Sequence, residues 1–300
     1  RRVGLENELW PNRLDTASEP VLVVGARMSE QSHRLWSRFP RLARRVLSHV
    51  RRLWPQDPGS ADRFRALGLA ADRIGPTATL KSAVALAAPD PGRLAALAAV
   101  FARADTLLAA STHEGEEAAV IEGFVSARAR RPDLKLILAP RHPARAAGIA
   151  ALIAPTGLPW AQRSAGVAPD PDTAIYLADT LGEMPLWYAL AGVTFVGGSL
   201  APRGGHTPFE PAGAGSAILH GPHTANFTEA YAALDRERGA VAVEDAGDIA
   251  AALAALEDAG AQAAMAARAA RALARFDTGQ AVIDDAVASL RSLLASDPGP

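Results

Sequence analysis

Between residues 193 and 227 the chain reads VTFVGGSLAPRGGHTPFEPAGAGSAILHGPHTANF, and residues able to do chemistry cluster in its first half. A short apolar run breaks at Gly197-Gly198. Arg203, Gly204, Gly205 and His206 then precede Thr207-Pro208, with Glu210 just beyond. Thr followed by Pro is a helix start, because the hydroxyl can cap free amides and Pro suits the first helical position. Glycines ahead of such a start let backbone N–H groups approach an anion, and the helix dipole favours negative charge there. Glu210 in the first turn can accept sugar hydroxyls. The same letters also fit an ordinary strand-loop-helix with a glycine turn, and both readings are open on these residues alone. The stretch has no GxGxxG after a strand, no GxxxxGK[ST] and no GxSxG, so dinucleotide, P-loop and hydrolase-elbow readings lack their motifs. His220 and His223 have a metal-like spacing but no cysteine and no second well-placed pair. Asp170-Pro171-Asp172 forms a DxD ahead of a strand rather than after one.

These residues need a frame. Residues 20–26 (PVLVVGA) read as a buried strand, and Ser29-Glu30 opens a helix after it. Residues 62–68 (DRFRALG) suggest a short helix closed by glycine. From Asp105 strands and helices alternate: DTLLAAST, a helix over 116–130, LKLILAP, then PRHP crossing into a helix. TAIYLAD follows, turning through Thr180-Leu181-Gly182-Glu183 into the helix with Trp187 and Tyr188. The apolar run at 193–196, AVAVED (240–245) and two or three Ala-rich helices complete the pattern. Such alternation predicts a parallel, doubly wound sheet, with ligands beyond the carboxyl ends of its strands. Ser111, Arg141, Gly182, Glu183, Gly198 and His206 all fall at those ends, which favours a real site over a chance collection.

Three hundred residues suggest about two domains, with a linker in the Ala- and Pro-rich stretch 83–91. Hydrophobic residues make up 49%, enough for large cores, and a net charge of -1 argues against a general nucleic-acid binder. Cysteine is absent, which removes disulfides and thiolate sites. Residues 34–54 carry seven arginines and no acid among apolar and aromatic residues, with Pro40 expected to split the segment. It suits an anionic membrane surface, or else a core-facing helix with a solvated arginine face. Glu6 and Glu8 would share one face of an extended segment, and Lys81 ends IGPTATLK; alone, each reads as a surface residue.

Taken together, ENELWPN (6–12), GARMSEQS, ADRFRALG, STHEGEE (111–117), PRHP, DTLGE, FVGGSLAPRGGHTPFEPA and GPHTANF resemble the Kdo transferases, in collinear order over nearly the whole chain. Those enzymes move 3-deoxy-D-manno-octulosonic acid (Kdo) from CMP-Kdo onto the lipid A precursor of lipopolysaccharide. The resemblance implies an α/β fold of GT-B type: two Rossmann-like, doubly wound domains, with residues 1–88 the remainder of a truncated acceptor-side domain and 89–300 the CMP-Kdo-binding domain. It implies an inverting glycosyltransferase with no cofactor and no metal, attached peripherally to the cytoplasmic face of the inner membrane. Carried over by motif, CMP binding falls on Pro140 and Arg141, on Leu181, Gly182 and Glu183, and on Thr207, Pro208, Phe209 and Glu210. Glu8 and Lys81 match positions that stabilise the transition state. The family usually has Asn at the places of Gly25, Ala78 and Thr207. Its membrane anchor and base glutamate lie in a part with no counterpart here, so this chain is expected to bind donor better than it turns over. Alternatives are a GT-B enzyme using a UDP-sugar and a non-catalytic nucleotide- or lipid-binding remnant.

Overall fold

A computed structural model describes residues 2–5, 21–77, 88–274, 276 and 279–295. The chain divides into two compact units, Arg1–Val84 with Arg275–Pro300, and Ala85–Ala274.

The first unit contains β1 (Arg2–Leu5), β2 (Val21–Ala26), α1 (Glu30–Ser37), α2 (Pro40–Ser48), β3 (Val50–Pro55) and α3 (Pro58–Ala66). Its strands pair in parallel in the order β1-β2-β3. Alternation along β2 sends Val21, Val23 and Ala26 to a core shared with Ala43, Val46 and Leu47 of α2 and Phe64 of α3. Ser29 caps α1 by accepting from the Ser32 N–H, and Pro40 opens α2 as the sequence suggests. The helix expected over 62–68 begins earlier, at Pro58, because Asp57 accepts the Ser60 N–H and Pro58 fits the first turn. Gly25 adopts φ +69°, the left-handed region that glycine and asparagine enter most readily, so the departure from asparagine keeps the turn.

The second unit runs α4 (Pro91–Ala98), β4 (Thr106–Thr112), α5 (Glu116–Arg128), β5 (Lys135–Pro140), α6 (Ala146–Ile153), β6 (Trp160–Gln162), β7 (Ile175–Leu177), α7 (Met184–Leu190), β8 (Val193–Val196), α8 (Phe209–Gly213), β9 (Ala217–His220), α9 (Thr228–Arg236), β10 (Ala240–Ala242), α10 (Ala246–Ala255) and α11 (Ala259–Ala274). All its strands are parallel, in the order β10-β9-β8-β4-β5-β7-β6. Both sheet faces are covered, which is why the strands read as unbroken apolar runs. Leu107 and Ala109 of β4 join Leu136 and Leu138 of β5 against α5, α6 and α10; Leu108, Ala110, Ile137 and Ala139 face Trp187 and Leu190 of α7. From β4 the chain winds one way to β5 and later returns to β8 on the other side of β4, placing the switch point of the sheet between β4 and β8.

Two expectations need correction here. Residues 89–300 were expected to form one domain. Instead the last helix, α12 (Gly279–Ala295), lies in the first unit, where Val282 packs on Leu22, Val24 and Trp54, the opposite face of the three-stranded sheet. Asp285 of α12 accepts from Arg52 Nη2 and Trp54 Nε1, both at 2.9 Å. Residues 34–54 are likewise not one basic amphipathic segment. Arg51 to Trp54 lie on β3, and Leu53 and Trp54 are fully buried.

Candidate active site at the switch point

The site begins with a distortion of β4. Ser111 takes φ 56° and drops out of register with β5 between Ala110 and Thr112. A non-glycine residue there is strained, and such strain gathers at functional sites. Gly197, at the end of β8, lies against it: a Cβ at 197 would come 2.5 Å from the Ser111 carbonyl oxygen. Only glycine permits that approach. The following loop closes on itself, Gly205 N donating to Gly198 O at 2.7 Å and His206 N to Gly197 O at 3.1 Å.

The sequence left open an anion cradle before the helix start or an ordinary glycine turn. The amides just after Gly197 hold an anion of the protein's own. Glu116, in the first turn of α5 and 1% exposed, accepts from the N–H groups of Gly198 (2.8 Å), Ser199 (2.9 Å), Leu200 (2.8 Å) and Ala201 (3.1 Å), and from His113 N (2.8 Å). Five donors on one buried carboxylate tie the loop after β8 to the helix after β4. Its neighbour Glu117 is wholly buried and meets Arg145 through two hydrogen bonds of 2.5 and 3.1 Å; that hydrogen-bonded pairing is the chief reason the Arg145 pKa is raised. The two acids that close STHEGEE are therefore scaffold.

With the amides occupied, the loop and strand ends present histidines and arginines. His113 and His206 face each other with Nε2 atoms 2.9 Å apart and rings nearly parallel at 7°. His142 meets His113 edge-on, with ring centroids 5.6 Å apart. Burial, above all, lowers the pKa of both paired rings. Arg141 follows β5 and donates its backbone N–H to Thr112 O at 3.0 Å; its guanidinium and that of Arg203 are exposed and carry no ion pair among the described residues. Thr112 itself is fully buried, and its hydroxyl has no partner among the described residues.

A second group sits after β7 and β8. The 180–183 turn carries Gly182 at φ +83° and presents Leu181, 74% exposed. The Glu183 carboxylate is already held by Arg163 Nε and Nη2 at 3.0 and 2.9 Å, by Arg93 at 2.9 Å and by the Thr180 hydroxyl. Glu210 is half-buried and accepts from Tyr188 Oη at 3.2 Å. Desolvation raises its pKa, with the tyrosine hydrogen bond pulling the other way. The expected helix start at Thr207-Pro208 shifts by one residue: Pro208 is the cap, Phe209 the first helical residue, and the helix ends at Gly213. Thr207 Oγ1 still accepts the Phe209 N–H, at 3.4 Å. Phe209 stacks edge-on against Phe227 at 6.3 Å.

Pro140, Arg141, the 181–183 turn and residues 207–210 thus all lie at or beyond the carboxyl ends of strands of one sheet. Glu8 and Lys81 lie outside the described residues. His220 is not paired with His223; its ring contacts Asp235 at 2.9 Å and the Gly221 carbonyl at 2.8 Å. In the DxD, Asp170 closes a turn onto the Thr173 N–H and hydroxyl, both at 2.8 Å. Sequence reasoning missed the histidine pair. Its two members stand 93 positions apart, and only the pairing of β4 with β8 brings them together.

Residues 2–84 match the family model described as 3-Deoxy-D-manno-octulosonic-acid transferase (kdotransferase). A 3-deoxy-D-manno-octulosonic acid transferase of Bordetella pertussis is 38% identical over 239 residues, 76% of this chain and 55% of that protein. The enzyme of the same name from Haemophilus influenzae is 29% identical over 250 residues, 82% of this chain and 58% of that one. The chain thus spans little more than half the length of these relatives. Among solved structures, the C-terminal CMP-Kdo binding domain of WaaA from Acinetobacter baumannii is 31% identical, with a TM-score of 0.56, covering 61% of this chain and 96% of that one. A glycosyltransferase from Rickettsia africae covers 92% of this chain and 71% of its own at a TM-score of 0.53; at 10% identity it speaks for the fold alone, two α/β units of GT-B type. With this sheet, these motifs and these relatives, the chain belongs to the Kdo transferase family.

Proposed function

We propose that the chain serves the transfer of Kdo from CMP-Kdo to a lipid A precursor, with the CMP half of the donor seated at the carboxyl edge of the seven-stranded sheet. The observation that carries this reading is the convergence there of an unengaged arginine, a histidine pair and a half-buried glutamate, in a unit similar to a CMP-Kdo binding domain. Arg141, beside Pro140, meets the phosphate. Glu210 takes the ribose hydroxyls, ordered by Thr207, Pro208 and Phe209. The 181–183 turn contributes the apolar Leu181 and the backbone of Gly182 and Glu183, because the Glu183 carboxylate is already occupied.

In the reaction the bond between the Kdo anomeric carbon and the phosphate oxygen breaks and its electron pair leaves with CMP. The departing phosphate gains negative charge, which the Arg141 guanidinium stabilises. The sugar becomes oxocarbenium-like, the acceptor oxygen attacks, and its proton passes to a base. Glu8 and Lys81 are assigned to stabilising this transition state. Calorimetry with CMP and UDP tests the donor: CMP is expected to bind the more tightly, and preference for UDP would point to a UDP-sugar enzyme instead. A transfer assay with CMP-Kdo and lipid A precursor tests the reaction, and binding of CMP with no transfer would favour a non-catalytic role.

The membrane reading rests on α1 and α2. Leu35 (55%), Phe39 (55%) and Leu42 (44%) stay exposed beside the exposed Arg34, Arg38 and Arg41. Apolar residues flanked by arginines suit the boundary of an anionic bilayer, here the cytoplasmic face of the inner membrane. No helix among the described residues is long and apolar enough to cross a membrane.

A further inference from the structure

The histidine pair holds a proton arrangement with a consequence for binding. A neutral imidazole has one N–H and one bare nitrogen. Two Nε2 atoms 2.9 Å apart therefore share one proton, one ring donating from Nε2 and the other accepting there, with its own hydrogen on Nδ1. Neither Nδ1 has a hydrogen-bond partner among the described residues. One nitrogen of the pair, the bare Nδ1 of the donating ring, is thus free to take up an additional proton without breaking the Nε2 contact.

The surroundings decide when it does. Burial, the Arg203 and Arg141 guanidinium groups and the His142 ring all oppose charge on the pair. Glu116 and Glu117 favour it, but their oxygens already serve five backbone amides and Arg145. Glu114 is exposed, and Tyr231, from α9, donates to the His206 carbonyl. Glu114 aside, which is exposed to solvent, no neighbouring carboxylate is left unengaged to balance an additional proton. An incoming oxyanion supplies what is missing.

We propose that His113 and His206 form a proton-linked oxyanion site: the pair is neutral when empty, one proton lying between the two Nε2 atoms, and takes up one additional proton when a phosphate or carboxylate group seats beside Arg141 and Arg203. This rests on the donor reading above for the identity of the ligand, and the donor offers both groups, the phosphate of its nucleotide and the carboxylate of its sugar acid. The sign follows from linkage. An anion raises the affinity of the pair for protons, so affinity for the anion rises as pH falls. The gain is at most about tenfold per pH unit for one proton. It levels off below the titration of the empty pair, which lies under the ordinary histidine value of 6.5.

The test combines calorimetry at pH 7.5 in buffers of different ionisation enthalpy with NMR titration of the histidine rings. The probes are CMP, inorganic phosphate and free Kdo, and the CMP phosphate, with its second pKa near ~6, is almost fully ionised at that pH. Expected is uptake of about half a proton or more per CMP bound, with both rings titrating higher in the complex. The uptake disappears in His113→Gln and in His206→Gln. A shift with free Kdo would assign the carboxylate, and one with phosphate and CMP but not Kdo the phosphate. CMP binding without proton uptake by the unaltered chain would overturn the site and leave the donor reading standing. A shift with phosphate in a chain that ignores CMP would keep the site and remove the donor reading. No binding of CMP and no shift with any probe would remove both.

Discussion

The two units use arginine in opposite ways. In the second unit most arginines near the sheet ends are engaged inside the protein. Arg103 holds the carbonyls of Tyr188, Ala189, Ala214 and Gly215 at 2.8 to 3.1 Å, Arg131 meets Asp105, Arg145 meets Glu117, and Arg163 meets Glu183. On α1 and α2 of the first unit, Arg34 reaches Glu30 only at 3.6 Å with both side chains largely exposed, and Arg38 and Arg41 have no ion pair among the described residues. An engaged arginine builds the fold. An unengaged one, beside a histidine pair or beside exposed leucine and phenylalanine, leaves its charge available at the surface. Counting arginines does not separate the two; tracing their partners does.

Four changes would break or sharpen that contrast. The largest effect is expected at the engaged end. Glu116→Ala strips the common acceptor from five backbone amides, two of them fully buried, so denaturant unfolding is expected to show a loss of about 3–5 kcal/mol, the usual range for removing one side of a buried charged contact. A change under ~1 kcal/mol would show that water replaces the carboxylate. Arg141→Ala should behave in the opposite manner. Stability moves by less than ~0.5 kcal/mol, while CMP affinity falls by about 1.5–3 kcal/mol, roughly ten- to 150-fold. Unchanged CMP affinity would place the phosphate elsewhere.

The third change addresses the first unit. Arg38→Glu with Arg41→Glu is expected to weaken sedimentation with anionic vesicles, each arginine being worth about 1 kcal/mol at low salt. Equal binding to neutral and anionic vesicles by the unaltered chain would reduce α2 to a core helix with a solvated face. The smallest effect is at Glu210. Burial raises its folded pKa, so its contribution to stability is present in full below the unfolded value and is lost as pH rises through the folded one. Glu210→Gln is therefore expected to be slightly more stable than the unaltered chain at neutral pH, with the gain vanishing below about pH 4.5. Thermal melts across that range read the crossover, and a gain that persisted in acid would exclude charge burial as its cause.

The frame of the second unit was plain in the sequence because a sheet covered on both faces writes itself as apolar runs, and LKLILAP or TLLAA admits few other readings. β6 went unseen: three residues at an edge, one of them exposed, leave no period to detect. The residues at the strand ends were found by position, but their duties were not. Glu116 and His113 belong to one motif and look equally suited to chemistry. Only the depth of α5 beneath the loop after β8 makes one a scaffold and leaves the other at the surface of the site. The amides after Gly197 hold an anion that the sequence could not name, a side chain 82 residues earlier.

The return of α12 to the first unit also sets an order of events during synthesis. Leu22, Val24 and Trp54 leave the ribosome before the second unit, yet the helix that covers them is made only after the whole of it. Domains generally fold as they emerge, at about 5–20 residues per second. The second unit can thus close while one face of the three-stranded sheet still waits, on the order of ten seconds or more, with a tryptophan and two aliphatic side chains uncovered. During that interval the nascent chain exposes an apolar face that the finished fold hides.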